Sequence, residues 1–154
     1  MPFHIVLVEP EIAANAGNIA RTCACTGMML HLVQPLGFAT DDRTLRRAGL
    51  DYWHVLSIEY HNSFDELFAS RPGMRPIFVA TQGDRLYTDV QYRPGDWIVF
   101  GKESHGLSDH ILLNYPGTVV RIPMRAGLRS LNLSTAVGIV AYEALRQIGF
   151  PGLS

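Results

Sequence analysis

Five short apolar runs, Phe3–Val8, Leu30–Val33, Pro76–Ala80, Trp97–Gly101 and Thr118–Ile122, alternate along the chain with helical or loop segments, and none alternates strictly between apolar and polar residues. A strand with one wet face shows period-two alternation, whereas a strand covered on both faces reads as a nearly continuous apolar run. The pattern therefore predicts an α/β fold with a mainly parallel sheet covered by helices. Helices are expected over Asn18–Thr26, Asp41–Ala48, Ser63–Ala69, Asp109–Leu113 and Asn132–Ile148, with Gly27 and Gly49 at helix stops. In the last of these, Leu133, Ala136, Val137, Val140, Ala141, Ala144, Leu145 and Ile148 fall on one helical face. Asn132 or Ser130 can cap that helix, and Gly149 followed by Pro151 can end it.

Bulk properties exclude several classes. The 154 residues suit one domain spanning 1–154, with no internal repeat and no linker that would divide it. No apolar run reaches the ~18 residues of a membrane span, and residues 1–8 are too short and too uncharged for a signal peptide. A soluble, cytoplasmic protein with no membrane partner is expected. Cys23 and Cys25 stand two apart on an expected helix, so their thiols point to different faces and are poorly placed to share an ion. The six histidines form no His-x-x-x-His pattern, so no structural metal is expected. A formal net charge of −1 argues against nonspecific coating of nucleic acid. It leaves room for local basic surface: Arg43, Arg46 and Arg47 cluster in one segment, and Arg121, Arg125 and Arg129 in another. Each group can contact phosphates or simply form a solvated edge.

Three segments can carry chemistry. Ile122–Ser134 leads from a strand end into the last helix, and Pro123 and Gly127 prevent a regular element there. Its backbone groups need partners elsewhere, which a ligand can supply. Asn15–Arg21 follows the first strand and opens the first helix; Gly17 permits a tight turn and Arg21 projects from the first helical turns. This is either an anion or ribose site or a capped helix with a solvated arginine. No Gly-x-Gly-x-x-Gly is completed, so a Rossmann dinucleotide site has no support. Phe100–Leu107 begins where a buried strand ends and sets Glu103 between Gly101 and Gly106. Ligand crevices of α/β sheets lie at such strand ends, although a turn with a surface acid reads equally well. Gly101–Lys102 lacks the preceding spacing of a P-loop, and Ser104 beside His105 is not by spacing a hydrolytic pair.

In this order, Asn15-x-Gly17-x-x-x-Arg21, Phe100-Gly101-x-Glu103-x-x-Gly106-Leu107, and Ile122-Pro123-Met124 leading to Ser130-Leu131-Asn132-Leu133-Ser134 resemble motifs of the SpoU branch of the SPOUT RNA methyltransferases. Further resemblance at Glu9–Ile12, Leu45–Tyr52 and Tyr142–Arg146 extends over nearly the whole chain. The resemblance implies a deep C-terminal trefoil knot, a rare exception to chain topology. It also implies S-adenosylmethionine bound in that knot by loops matching Ala80–Gly83, Gly101–Gly106 and Ile122–Leu131. The implied cofactor residues are Ala80, Thr81, Gly83, Gly101, Glu103, Gly106, Ile122, Met124, Ser130, Leu131 and Asn132. The implied activity is ribose 2'-O-methylation of tRNA at the anticodon wobble cytidine or uridine, with Arg21, Asn15 and Glu103 as the catalytic set. A catalytically silent RNA-binding dimer of the same fold is the rival. Independently, Thr135, Gly138, Ile139 and Tyr142 lie off the main stripe of the last helix and suit a second packing surface, so a homodimer is expected.

Overall fold

The computed structural model describes residues 2–39, Arg43, Arg47 and residues 55–154. Seven strands form one sheet: β1 (His4–Val8), β2 (Met29–Val33), β3 (Ile58–His61), β4 (Pro76–Val79), β5 (Arg85–Leu86), β6 (Trp97–Phe100) and β7 (Thr118–Arg121). Their order is β3-β2-β1-β6-β4-β7-β5 and every pairing is parallel. Among the described residues, the helices with defined bounds are α1 (Ala13–Thr26), α2 (Phe64–Ser70), α3 (Asp109–Asn114) and α4 (Leu133–Gln147).

The strands read as continuous apolar runs because alternate residues feed two different cores. Ile5 and Leu7 of β1, Ile77 of β4 and Ile98 and Phe100 of β6 join a core with Ile19, Ala20 and Cys23 of α1 and Val137, Val140, Ala141, Ala144 and Leu145 of α4. Their sequence neighbours Val6, Val8, Phe78, Trp97 and Val99 pack on the other side with Phe64 and Leu67 of α2 and Ile111 of α3. Every residue of the expected α4 stripe is buried or packed against the first core.

Several expectations change. Strands β3 and β5 were not anticipated from the apolar runs. α1 begins at Ala13 rather than Asn18, so Gly17 lies buried within the helix instead of shaping a turn, and Arg21 sits in the third turn. Gly27 does end α1 in the left-handed conformation, at φ 75°. Asn132, not Ser130, caps α4, accepting from the Thr135 N–H at 3.2 Å. The expected helix over Asp41–Ala48, its stop at Gly49 and the family-like segment Leu45–Tyr52 lie outside the described residues, except Arg43 and Arg47, which are helical and exposed. Cys23 is buried and Cys25 exposed, so the two thiols lie on different faces of α1 and only one of them is a core group.

One polar row crosses the second core. His4, His31 and His61 are linked ring to ring, at 2.9 Å for His4 Nδ1 to His31 Nε2 and 2.9 Å for His31 Nδ1 to His61 Nε2. Burial, with neighbouring His4, His61 and Arg71 adding to it, pushes the His31 imidazole down to about 3. Neutral rings in a hydrogen-bonded chain can stand among apolar side chains because each has one donor and one acceptor.

Candidate active site

Strands β6, β4 and β7 are neighbours, and all point the same way, so the loops at their C-terminal ends converge. They enclose a cavity of about 400 Å³, within the roughly 300–1,000 Å³ typical of small-molecule sites. β4 contributes Ala80 and Thr81, β6 contributes Gly101, Glu103 and Gly106, and the β7 loop contributes Ile122, Met124, Ser130, Leu131 and Asn132. Ten of the eleven residues expected to hold a cofactor therefore line one space. Asn15 lines it from α1.

Gly83 and Arg21 do not line it. Gly83 sits behind the β4 loop: a side chain there would fall 2.5 Å from the Val120 backbone, and its carbonyl accepts from Arg121 at 3.1 Å. Its part is to let the loop turn tightly against β7. Arg21 lies six residues beyond Asn15 on α1, about 9 Å along the helix axis, and is exposed.

Glu103 is the centre of the polar framework. Oε1 accepts the Glu11 N–H at 2.8 Å, and Oε2 accepts the Ile12 N–H at 2.9 Å and the Asn15 side-chain amide at 3.1 Å. Asn15 Oδ1 in turn accepts from the Asn132 amide at 3.1 Å, so one chain of hydrogen bonds joins the starts of α1 and α4 to the β6 loop. With both oxygens engaged by donors, the Glu103 carboxylate ties these segments together. Glu11 returns the contact: its carboxylate accepts the Ser104 N–H at 2.8 Å. The hydroxyl and backbone of Ser104 hold the Glu11 carboxyl below its ordinary range.

The β6 loop is closed on itself, with Gly106 N–H donating to the Lys102 carbonyl at 2.9 Å. Gly101 makes this possible, because a Cβ there would occupy the space of the Gly106 and Leu107 backbone. Arg129 pins the β7 loop over it, donating to the Ser104 carbonyl at 2.6 Å. Ser104 Oγ and His105 Nδ1 are 2.8 Å apart, a contact between chain neighbours at the cavity rim. Val79, Phe100, Leu133 and Ala136 supply apolar wall, although the sequence offers them only as strand, motif or helix-stripe residues and not as ligand contacts.

Apolar walls, a polar framework and loops at the C-terminal ends of adjacent parallel strands define an α/β protein with a candidate ligand site. The sequence profile of the SpoU rRNA Methylase family matches residues 2–142, and the chain belongs to that family. A relative from Burkholderia pseudomallei named tRNA (cytidine(34)-2'-O)-methyltransferase is 47% identical, over 97% of this chain and 98% of its own length. A solved structure described as giving insight into 2-OH methylation of C/U34 on tRNA superimposes with a TM-score of 0.91 at 44% identity, covering 96% of each chain. An AdoMet-bound rRNA methyltransferase from Sinorhizobium meliloti gives a TM-score of 0.85 at 26% identity, over 96% of this chain and 57% of its own.

Proposed function

We propose that this chain is an S-adenosylmethionine-dependent methyltransferase acting on the ribose 2'-hydroxyl of the tRNA anticodon wobble nucleotide, cytidine or uridine. The observation that carries the reading is the convergence of the β4, β6 and β7 loops on one cavity in a member of this family. The cavity fits the cofactor: Ile122, Met124 and Leu131 offer apolar surface to a flat base, and the irregular β6 and β7 loops present main-chain donors and acceptors. Ala80, Thr81, Gly101, Gly106, Ile122, Met124, Ser130 and Leu131 would hold it, with Asn132 and Glu103 fixing the loops and Gly83 shaping one from behind. When bound, the sulfonium supplies an electrophilic methyl group.

The residues' task is to align a ribose oxygen and stabilise the charge it develops. Arg21 is the proposed activating group. An arginine pKa above about 12 makes it a poor proton acceptor, so its contribution is electrostatic, assisted by a nearby RNA phosphate. Its place on α1 outside the cavity fits a group that meets the RNA rather than the cofactor. Asn15 and Glu103 are positioning residues, because their polar atoms are spent on each other, on Asn132 and on the start of α1.

We infer further that residues 1–154 form one SPOUT domain with a C-terminal knot. The reading is supported by the contact of the two loops, where Arg129 of the β7 loop donates to the Ser104 carbonyl of the β6 loop, and by the packing of α4 with α1. A homodimer through α4 and a cytoplasmic location complete the reading. No helix among the described residues is long and apolar enough to cross a membrane. Transfer of a labelled methyl group to tRNA, with the modified nucleotide mapped, tests the function. Methylation of a small molecule that is indifferent to tRNA, or tight cofactor binding with no transfer, would replace it with one of its rivals.

A further inference from the structure

The histidine row ends, at the sheet edge away from the active-site loops, in a group of three potential ligands. Glu59 and His61 are two apart on β3 and so project to the same face. His31 lies directly across from Glu59 in the parallel β2–β3 register. Backbone bonds secure that pair at both ends, Leu30 N–H to the Ser57 carbonyl at 3.1 Å and Gln34 N–H to the His61 carbonyl at 2.8 Å. The three ligand atoms face one another: His31 Nδ1 to His61 Nε2 is 2.9 Å, His31 Nδ1 to Glu59 Oε2 is 3.5 Å and His61 Nε2 to Glu59 Oε2 is 3.6 Å.

We propose that His31, Glu59 and His61 form a binding site for a divalent transition-metal ion of the zinc type, clipping edge strand β3 to β2. Donors about 2.0–2.1 Å from a tetrahedral ion stand about 3.4 Å from each other, and the three observed separations bracket that value. Two imidazoles and one carboxylate are the donor set that zinc-type ions favour over calcium or magnesium. The outer contacts also match. A histidine that binds metal through one nitrogen donates its other ring N–H to a fixed acceptor. His31 Nε2 meets His4 Nδ1, and the His4 ring is itself stacked on Trp97 at 3.8 Å and 3°. The ion has a route in, because the His31 side chain is fully buried while those of His61 and Glu59 are 13% and 36% exposed. Three protein ligands leave one tetrahedral position to water. Arg71 sets the opposing force: its guanidinium donates to the same Glu59 Oε2 at 2.5 Å, so it competes with the ion for that oxygen.

The test uses the full chain, stripped with a chelator and titrated with Zn²⁺ against a chromophoric competitor, and separately with Co²⁺ followed by visible absorption. One ion per chain is expected, with the Co²⁺ bands of a tetrahedral nitrogen and oxygen site. Glu59→Gln and His61→Ala should each weaken binding by at least roughly tenfold, the lower bound for disturbing metal-site partners. Arg71→Ala should tighten it by roughly tenfold, the worth of one charge-assisted hydrogen bond. His110→Ala, a surface histidine paired with Asp65, should leave it unchanged. Glu59→Gln carries the test if His61→Ala fails to fold. Absence of a stoichiometric ion in the parent, or equal affinity in the parent, Glu59→Gln and His61→Ala, would show a hydrogen-bonded histidine chain only and overturn the site.

Discussion

Glu103 explains at the scale of one residue both how the site is held and why it was only half legible. The start of α1 has no side-chain cap of its own, since its N-cap position is Ile12. The N–H groups of Glu11 and Ile12, just ahead of the helix, are held by a carboxylate 92 and 91 residues further along the chain. A negative group there also complements the helix dipole. Local sequence carries no trace of this, so the helix expected from Asn18 starts five residues earlier, at Ala13. Gly101 shows the complementary case, a glycine whose need was legible for a different reason than the true one. Its missing side chain makes room for the chain's own Gly106–Leu107 backbone, not first of all for a ligand. Gly101→Val should therefore open the β6 loop, lowering S-adenosylmethionine affinity by more than about tenfold and unfolding stability by roughly 1–3 kcal/mol, as overpacking does. Calorimetric titration and urea unfolding on the same preparation check both; intact affinity in a folded variant would mean that the loop tolerates the bulk.

Among the elements, the apolar-run rule found β1, β2, β4, β6 and β7 and missed β3 and β5, and the sheet order gives the reason. The two missed strands are its edges. An edge strand need not be apolar on both faces, and β3 reads Ile-Glu-Tyr-His with no buried residue. The α4 start, by contrast, was legible because its cap is local. Asn132 performs two tasks there, capping Thr135 with its oxygen and donating to Asn15 with its nitrogen. Serine can take over the first task but is too short for the second. Asn132→Ala should thus cost about 1 kcal/mol of stability and weaken cofactor binding, whereas Asn132→Ser should recover the stability to within a few tenths and not the affinity. If the serine variant binds cofactor as the parent does, the link to Asn15 has no part in shaping the cavity.

For the whole molecule, α4 buries Val137, Val140, Ala141, Ala144 and Leu145 within the chain yet leaves Tyr142 46% exposed, with Thr135 exposed beside it and Gly138 and Ile139 half-buried. An aromatic left open on a helix whose other face is core is what an interface between subunits would cover. Ile139→Asp should convert a dimer to monomer in sedimentation experiments, because an unpaired carboxylate in a desolvated contact is costly; a stable, active dimer of that variant would move the interface elsewhere. The same scale governs Arg21. One chain assembles the cofactor cavity without it, so binding of S-adenosylmethionine and transfer of its methyl group should separate. Arg21→Ala is expected to keep its fold and most of its cofactor affinity while single-turnover methylation at saturating tRNA falls about 10²–10³-fold, the usual loss on removing one group that stabilises developing charge. Arg21→Lys should restore little, since a point charge lacks the planar fork that can engage ribose oxygen and phosphate together. A parent-like transfer rate in Arg21→Ala under those conditions would make Arg21 a binding or structural residue and leave activation of the ribose hydroxyl to a group on the tRNA itself.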